Sequence, residues 1–594
     1  MSLEAVLSRI ASGESVSSSE LLPYLCIERR EQRANANLLL AEAYFESGRQ
    51  DNLPHAKVFI RRAWLLSRFS PELLPLYTRI YSALDDVPGI RDAYKRVGMM
   101  MAAEGNVSEA IRHFDLWQYA YISFKNLDKY EYDFDILECM DRLAGPHRFS
   151  PKPRSELLKD GKIRVAYLVK GINELGSVLV KINLLFARFH DRSRVEPMFF
   201  VPESKNAVLA SEVGREHLRL FESHGCELYM GPDVRATEDR LLAVASTIHS
   251  VRPDVLITSA GLAQFEHYFI TSLRPAPFVI GFVQGPPEQF APPALDWGLA
   301  WSKHPLIDCP VNCTLIRMDM ELPERSELVP YEMSELGLPS DAFVVATAGR
   351  FVKFQEPEFW RAVIELLDEH PRLYYLAMGV EEALIPFLPS MLSQETRSRI
   401  RFLGWRGDDY LRTLCMTDIV IDTFPSGGGA VLSDAWALGI PVVTFRNNYM
   451  RLYDQNDWSP AEELIDMPEV IVPRGDFAQM KRVVSRLIED SEHRLDIGRR
   501  SQAQFRQMWG NPARAIRTCE DAYFRILEQE LLGHASATQP EIEVEELARR
   551  RSRPQIARPW VARAAQQLNR ALRLGERALD RIATGRPLLR RRSP

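Results

Sequence analysis

A run of three glycines, Gly427, Gly428 and Gly429, stands between two apolar stretches in DIVIDTFPSGGGAVLSDAWALGIPVVTF, residues Asp418 to Phe445. The pattern predicts a buried strand, a glycine turn, a helix and a second buried strand at Ile440–Phe445. Glycine lets backbone approach a ligand closely, and a helix N-terminus offers N–H groups and a positive dipole end to an anion. Asp434 falls about a turn and a half into the helix. A carboxylate there can accept hydrogen bonds from ribose hydroxyls, as acidic residues do in other nucleotide folds. Together these residues suit a phosphorylated ligand. The glycine triplet alone fits an ordinary strand–helix loop as well.

The elements that must hold this turn are legible over most of the chain. Its 594 residues exceed one hydrophobic core, so several domains are expected. Hydrophobic residues at 46% and charged residues at 26% fit a globular protein, and no apolar run reaches the roughly 20 residues of a membrane span. The N-terminus shows no basic region followed by an apolar one, so no signal peptide is read. Seven scattered cysteines point to a reducing cytoplasm. Cys309 and Cys313 are the one close pair, and without a second pair or nearby histidine they read as buried thiols rather than a zinc site.

Residues 1–147 carry apolar residues at helical spacing and read as an all-α domain. Gly98, Gly105, Ala110 and Phe114 fit a tetratricopeptide-like repeat, in which small residues let helices approach and Phe114 fills the gap. Tyr44, Gly48, Ala56, Ile60 and Ala63 suggest a second, degenerate copy, and a generic helical bundle is the alternative. A linker at 148–161 leads to an α/β region at 162–330, with strands at Ile163–Leu168, Pro197–Val201, Val255–Thr258, Phe278–Phe282 and Gly298–Trp301. A second α/β region at 331–532 has strands at Val344–Ala348, Tyr374–Met378, Ile400–Phe402, Ile419–Asp422, Val442–Phe445 and Val470–Val472. Helices Phe477–Glu489 and Glu492–Leu531 close it. The alternation predicts two doubly wound parallel sheets. Without a GxGxxG fingerprint, a dinucleotide oxidoreductase is disfavoured, and a ligand between two domains is favoured.

Residues 533–594 form a polar linker and a basic tail. From Arg549 onward there are 14 arginines and two acids, so the tail is +12 while the chain as a whole is −6. The rest of the chain therefore carries −18, which argues against general nucleic-acid binding. Trp560–Ile582 has an apolar face with Trp560, Leu568, Leu572 and Leu579 and an arginine face. It suits an anionic membrane surface, a solvated tail, or a helix packed on the acidic body.

The order of these parts, with three local motifs, resembles the O-GlcNAc transferases and bacterial adhesin N-glycosyltransferases of glycosyltransferase family 41. The motifs are LRPAPFVIGFVQGPPEQ from Leu273, followed by Asp296–Trp297; LGLPSDAFVVATAGRFVKFQEPEFW from Leu336; and the glycine-turn segment. The resemblance spans about residues 160–530. It implies a GT-B fold, a nucleotide-sugar (UDP) donor, a protein or lipid-linked glycan acceptor, inversion at the anomeric carbon, and no metal or other cofactor. No DxD motif stands out in the donor region, and Asp85–Asp86 lies in the helical part. The resemblance also implies roles. Lys353 occupies the position of a lysine that contacts the donor pyrophosphate, and Arg350 that of a polar phosphate contact. Cations following a strand are well placed to stabilise a leaving phosphate. Tyr410 stands where the family has a histidine stacked on uracil, with backbone near Gly404 and Trp405 reading the base edge. Asp434 matches the ribose aspartate. Gln284 and His267 are acceptor-side candidates, a lone histidine being more often structural.

The departures bear on mechanism. Gly429-Ala430-Val431 replaces a His-Thr-Thr sequence, so hydroxyl contacts to phosphate are lost. A histidine in the first loop of the first α/β domain is replaced within Lys170–Gly176, where Glu174 is the candidate base or a cap for the following helix. The expected protein is a cytoplasmic bacterial glycosyltransferase of protein glycosylation or polysaccharide biosynthesis, peripheral to the inner membrane face if the tail binds there. A sugar-nucleotide epimerase on the same fold, and a non-catalytic scaffold with a decayed transferase domain, are the alternatives.

Overall fold

The computed structural model describes residues 2–122, 133–150, 152–153, 156–158, 161–259, 264–283, 294–300, 311–317, 319–424, 427, 429–446 and 464–532. Gln284, Cys309, Pro425, Ser426, Gly428 and the basic tail lie outside them. Among the described residues, no helix is long and apolar enough to cross a membrane.

The helices up to Val97 form one compact unit. Its central pair is Arg30–Glu46 and Leu53–Leu66, joined through Gly48 at φ +66°. Ala36, Leu40, Ala41 and Tyr44 on one helix and Ala56, Phe59, Ile60 and Ala63 on the other are buried, and Tyr44 stacks on Phe59 at 5.5 Å. Small residues on both helices permit this close approach.

The second unit begins at Gly98, within the helix Val87–Ala103. A Cβ on Gly98 would lie 2.6 Å from the Phe114 ring, so glycine is what lets the helix Val107–Ile122 pack there. The helices before residue 147 are therefore divided between the two units. Two parallel sheets follow. The first contains β1 (Ile163–Leu168), β2 (Val195–Ser204), β3 (Leu228–Gly231), β4 (Val255–Thr258), β5 (Phe278–Val283), β6 (Trp297–Ala300) and β7 (Asn312–Leu315), in the order β3-β2-β1-β4-β5-β6-β7. The second contains β8 (Phe343–Ala348), β9 (Leu373–Met378), β10 (Ile400–Phe402), β11 (Ile419–Ile421), β12 (Val442–Phe445) and β13 (Ile471–Val472), in the order β10-β9-β8-β11-β12-β13. Central strands such as β1, β4 and β11 are apolar and buried almost throughout, as strands covered on both faces must be.

Each sheet reverses its strand order once. The reversal lies between β1 and β4 in the first sheet and between β8 and β11 in the second. Ligands of open α/β sheets bind outside the carboxyl ends of strands at such points. The loops after these four strands are therefore where side chains matter most.

The long helix expected at Glu492–Leu531 is two helices, Ser491–Trp509 and Pro512–Leu532, separated at Gly510–Asn511. Proline tolerates the first turn of a helix but not its interior, which ends the first and starts the second. The last helix leaves the second sheet. Its Ile516, Cys519, Tyr523 and Ile526 enter the core around β1 and β2. There the Tyr523 and Tyr167 hydroxyls lie 3.0 Å apart, and Glu520 accepts from His190 Nδ1 at 2.9 Å and from the Asp191 N–H at 2.8 Å. The expected second domain, running to residue 532, thus hands its final helix to the first sheet.

Candidate functional site

Gly349 and Arg350 follow β8 directly, and a short 3-10 turn carries Lys353. Asp422 and Thr423 follow β11. The Asp422 carboxylate is buried and fixed from two sides, accepting from the Thr423 N–H at 2.8 Å and from the Thr444 hydroxyl at 2.7 Å. Thr347 of β8 donates to the Ile421 carbonyl of β11 at 2.9 Å, tying the two strand ends together. This frame leaves the end of the sheet polar and joined by hydrogen bonds.

Lys353 joins the frame to the glycine turn, because its Nζ donates to the Gly427 carbonyl. Burial pushes its ammonium down to about 8, Asp422 opposes that shift, and the Arg350 guanidinium adds to it. An ammonium has three donors, and Gly427 takes one. Gly429 caps the helix Ala430–Ala437, which holds Asp434 in its second turn. Gly429 has φ −99°, a conformation open to any residue, and a Cβ there would meet nothing within 4 Å. Glycine at this position keeps space open rather than permitting a left-handed turn. Lys353, Gly427, Gly429 and the helix start therefore converge at the reversal of the second sheet, with exposed Arg350 beside them. Tyr410 is half-buried at the start of the short helix Tyr410–Leu414 and packs on the core of the second sheet. Gly404 (φ +59°) is placed by the chain around Gly379, whose N–H donates to the Gly404 carbonyl at 2.7 Å.

The first sheet faces this site with its own loops. Glu174 is exposed in the turn Gly171–Ser177, and the helix Val178–Phe189 takes Ser177 rather than Glu174 as its N-cap. Leu175 crosses to the second sheet. Its carbonyl accepts from Trp405 Nε1 at 3.3 Å, and its side chain fills the space where a Gly407 Cβ would stand. His267 is fully buried in the helix Phe265–Ser272 and held neutral, pushed down to about 3 by burial and by the Lys170 charge.

Along the carboxyl edge of the first sheet that carries His267, the structure gathers residues that no local pattern in the sequence singles out. Lys170 follows β1, Glu203 ends β2, Arg240 and Glu266 come from two helices, and Asp115 comes from the helical segment before the sheets. Asp115 Oδ1 accepts from the Phe265 N–H at 2.7 Å, and Arg240 pairs with Glu266 at 2.9 Å. Burial pushes the Glu203 and Asp115 carboxyls up to about 7. Spacings of tens of residues separate these groups, so only the fold reveals them.

The two Rossmann-like sheets in one compact unit, with polar loops at both reversal points, define the GT-B architecture of glycosyltransferases. Over most of its length the structure is similar to that of an O-GlcNAc transferase variant of Thermobaculum terrenum, with a TM-score of 0.55 and 16% identity, covering 89% of this chain and 98% of that one. In sequence, the chain is 25% identical over 213 residues to the lipopolysaccharide core biosynthesis glycosyltransferase LpsE of Rhizobium meliloti, covering 36% of this chain and 57% of that protein. It is 32% identical over 118 residues to the lipopolysaccharide core biosynthesis glycosyltransferase LpsD of the same organism, covering 20% and 33%. The chain thus matches about half or less of these curated relatives' length. No protein-family model matches it.

Proposed function

We propose that the chain is a glycosyltransferase, a divergent relative of family 41, that takes a sugar from a UDP-type donor and passes it to a protein or glycan acceptor. The observation that carries this reading is the tether between Lys353 and Gly427 at the reversal of the second sheet, beside the helix start at Gly429. As the bond between sugar and phosphate breaks, charge gathers on the leaving diphosphate. The ammonium of Lys353, the guanidinium of Arg350 and the helix N–H groups are the means of stabilising it there. Hydroxyl side chains are lacking at Ala430 and Val431, so backbone and cations carry this role. Asp434 is assigned to the ribose and Tyr410 to the base. Attack from the opposite side of the anomeric carbon, by an acceptor held on the first sheet, gives inversion. The names of the lipopolysaccharide core relatives support a glycan acceptor, and the arginine-rich tail is the segment suited to an anionic membrane surface.

The test is incubation with UDP-glucose, UDP-galactose and UDP-N-acetylglucosamine, followed by separation of nucleotide and sugar products. We expect release of UDP from at least one donor, persisting in EDTA because fixed cations neutralise the diphosphate. An epimerised UDP-sugar formed without acceptor sinks the transferase reading in favour of the epimerase.

A further inference from the structure

The polar residues at the carboxyl edge of the first sheet are more numerous than a structural role needs. Six buried polar atoms on this edge lack a hydrogen-bond partner among the described residues: Glu203 Oε2, Arg240 Nε, Ser259 Oγ, Gln264 Oε1 and both ring nitrogens of His267. Buried polar groups are nearly always paired, so a cluster of unpaired ones marks a place where something else binds. His267 is the most telling, because its ring is 0% exposed and lies within the field of Lys170. The carboxylate and amide oxygens accept, Arg240 Nε donates, and neutral imidazole and hydroxyl do both, a mixed set that a molecule rich in hydroxyls satisfies because each hydroxyl both donates and accepts.

The edge also faces the donor site. Lys170 feels the charge of Arg350, and Leu175 touches the loop at Gly407. Arg240 is already paired with Glu266, and Lys170 stands among Asp115, Glu174 and Glu203, so the edge offers no excess of cations to an anionic acceptor. A neutral saccharide fits this chemistry better than a peptide, which offers one backbone donor per residue, or a phosphorylated headgroup.

Resting on the donor-site reading above, we infer that this edge is the acceptor subsite, that it takes a neutral saccharide hydroxyl, and that Glu203 is the base. The Glu203 carboxylate takes the hydroxyl proton as the acceptor oxygen bonds to the anomeric carbon. The bond from that carbon to the β-phosphate oxygen breaks, and its electron pair leaves on UDP. His267 and Asp115 orient the acceptor ring. Glu266, Glu174, Arg240 and Lys170 are the charged groups around Glu203. Burial and the neighbouring carboxylates outweigh the cations and raise its carboxyl to about 7, so the base form grows in as pH rises through neutrality.

The experiment measures UDP release from the accepted UDP-hexose with and without methyl glucosides, galactosides and mannosides, alongside UDP binding by calorimetry. In the native chain at least one glycoside should stimulate release several-fold, with an acid limb near pH 7. Glu203→Gln should cut stimulated release by about 100-fold, while UDP affinity stays within twofold. Asp115→Asn should raise the glycoside KM with UDP affinity unchanged. The inference is overturned if Glu203→Gln keeps the stimulation, if no glycoside stimulates, or if serine, threonine or asparagine peptides stimulate instead. Absence of UDP binding in the native chain would strike the donor-site reading, whereas UDP binding without a saccharide response strikes this inference alone.

Discussion

Lys353 is the residue on which the proposed donor site turns, and its surroundings set when it is charged. Burial and Arg350 lower its pKa to about 8, and Asp422 only partly offsets them. A depressed lysine loses its proton as pH rises through that value, so the cation available to a diphosphate is present below about pH 8 and lost above it. UDP affinity measured by calorimetry should therefore fall up to tenfold per unit above about pH 8, and Lys353→Arg should remove that fall. A flat profile to pH 9.5 in the native chain would show that Lys353 does not contact the nucleotide. Lys353 was legible in sequence because it follows a strand within a family-like motif. Glu203, Asp115 and Glu266 were not, because they come within electrostatic reach of one another only when β2 and two helices are brought together.

The elements that hold the site were mostly legible from burial. Ile163–Leu168, Val255–Thr258 and Val442–Phe445 have the expected bounds, since strands covered on both faces read as apolar runs, and the short edge strand Ile400–Phe402 has its expected bounds too. Leu228–Gly231 and Asn312–Leu315 escaped notice because they are edge strands of four residues without a long apolar run. The glycine triplet reads in the sequence as room for a ligand to approach the backbone, and Gly429 is a described glycine with open space before it. With φ −99° and open space before it, that position tolerates a methyl group sterically while a ligand would not. Gly429→Ala should leave the thermal midpoint within about 2 °C, as a compatible glycine-to-alanine change typically does or improves on. It should weaken UDP binding about tenfold, the equivalent of about 1.4 kcal/mol. A change in midpoint without a change in affinity would show that the space is structural.

At the scale of the molecule, the loops after the two sheets' reversal points come within reach of each other, Trp405 bonding to Leu175 and Arg350 acting on Lys170, and the helix Pro512–Leu532 returns to the first sheet. That return was not legible, because an amphipathic helix shows which face is buried but not against what. In the structure, Glu520 answers both the His190 ring and the Asp191 N–H, and these contacts commit the helix to the first sheet. The N-terminal helices form a unit of their own up to Val97, so the helical segment that supplies Asp115 belongs with the sheets. The proposed function puts the donor on the second sheet and the acceptor on the first, with Lys353 as the link to the leaving diphosphate. Titration of UDP into the native chain and into Lys353→Ala at pH 7 tests that claim most directly. Loss of one charge-assisted contact, worth about 1.5–3 kcal/mol, predicts saturable binding in the native chain and affinity about 10- to 100-fold weaker in the variant. No binding in the native chain, or equal affinity in both, would contradict the account.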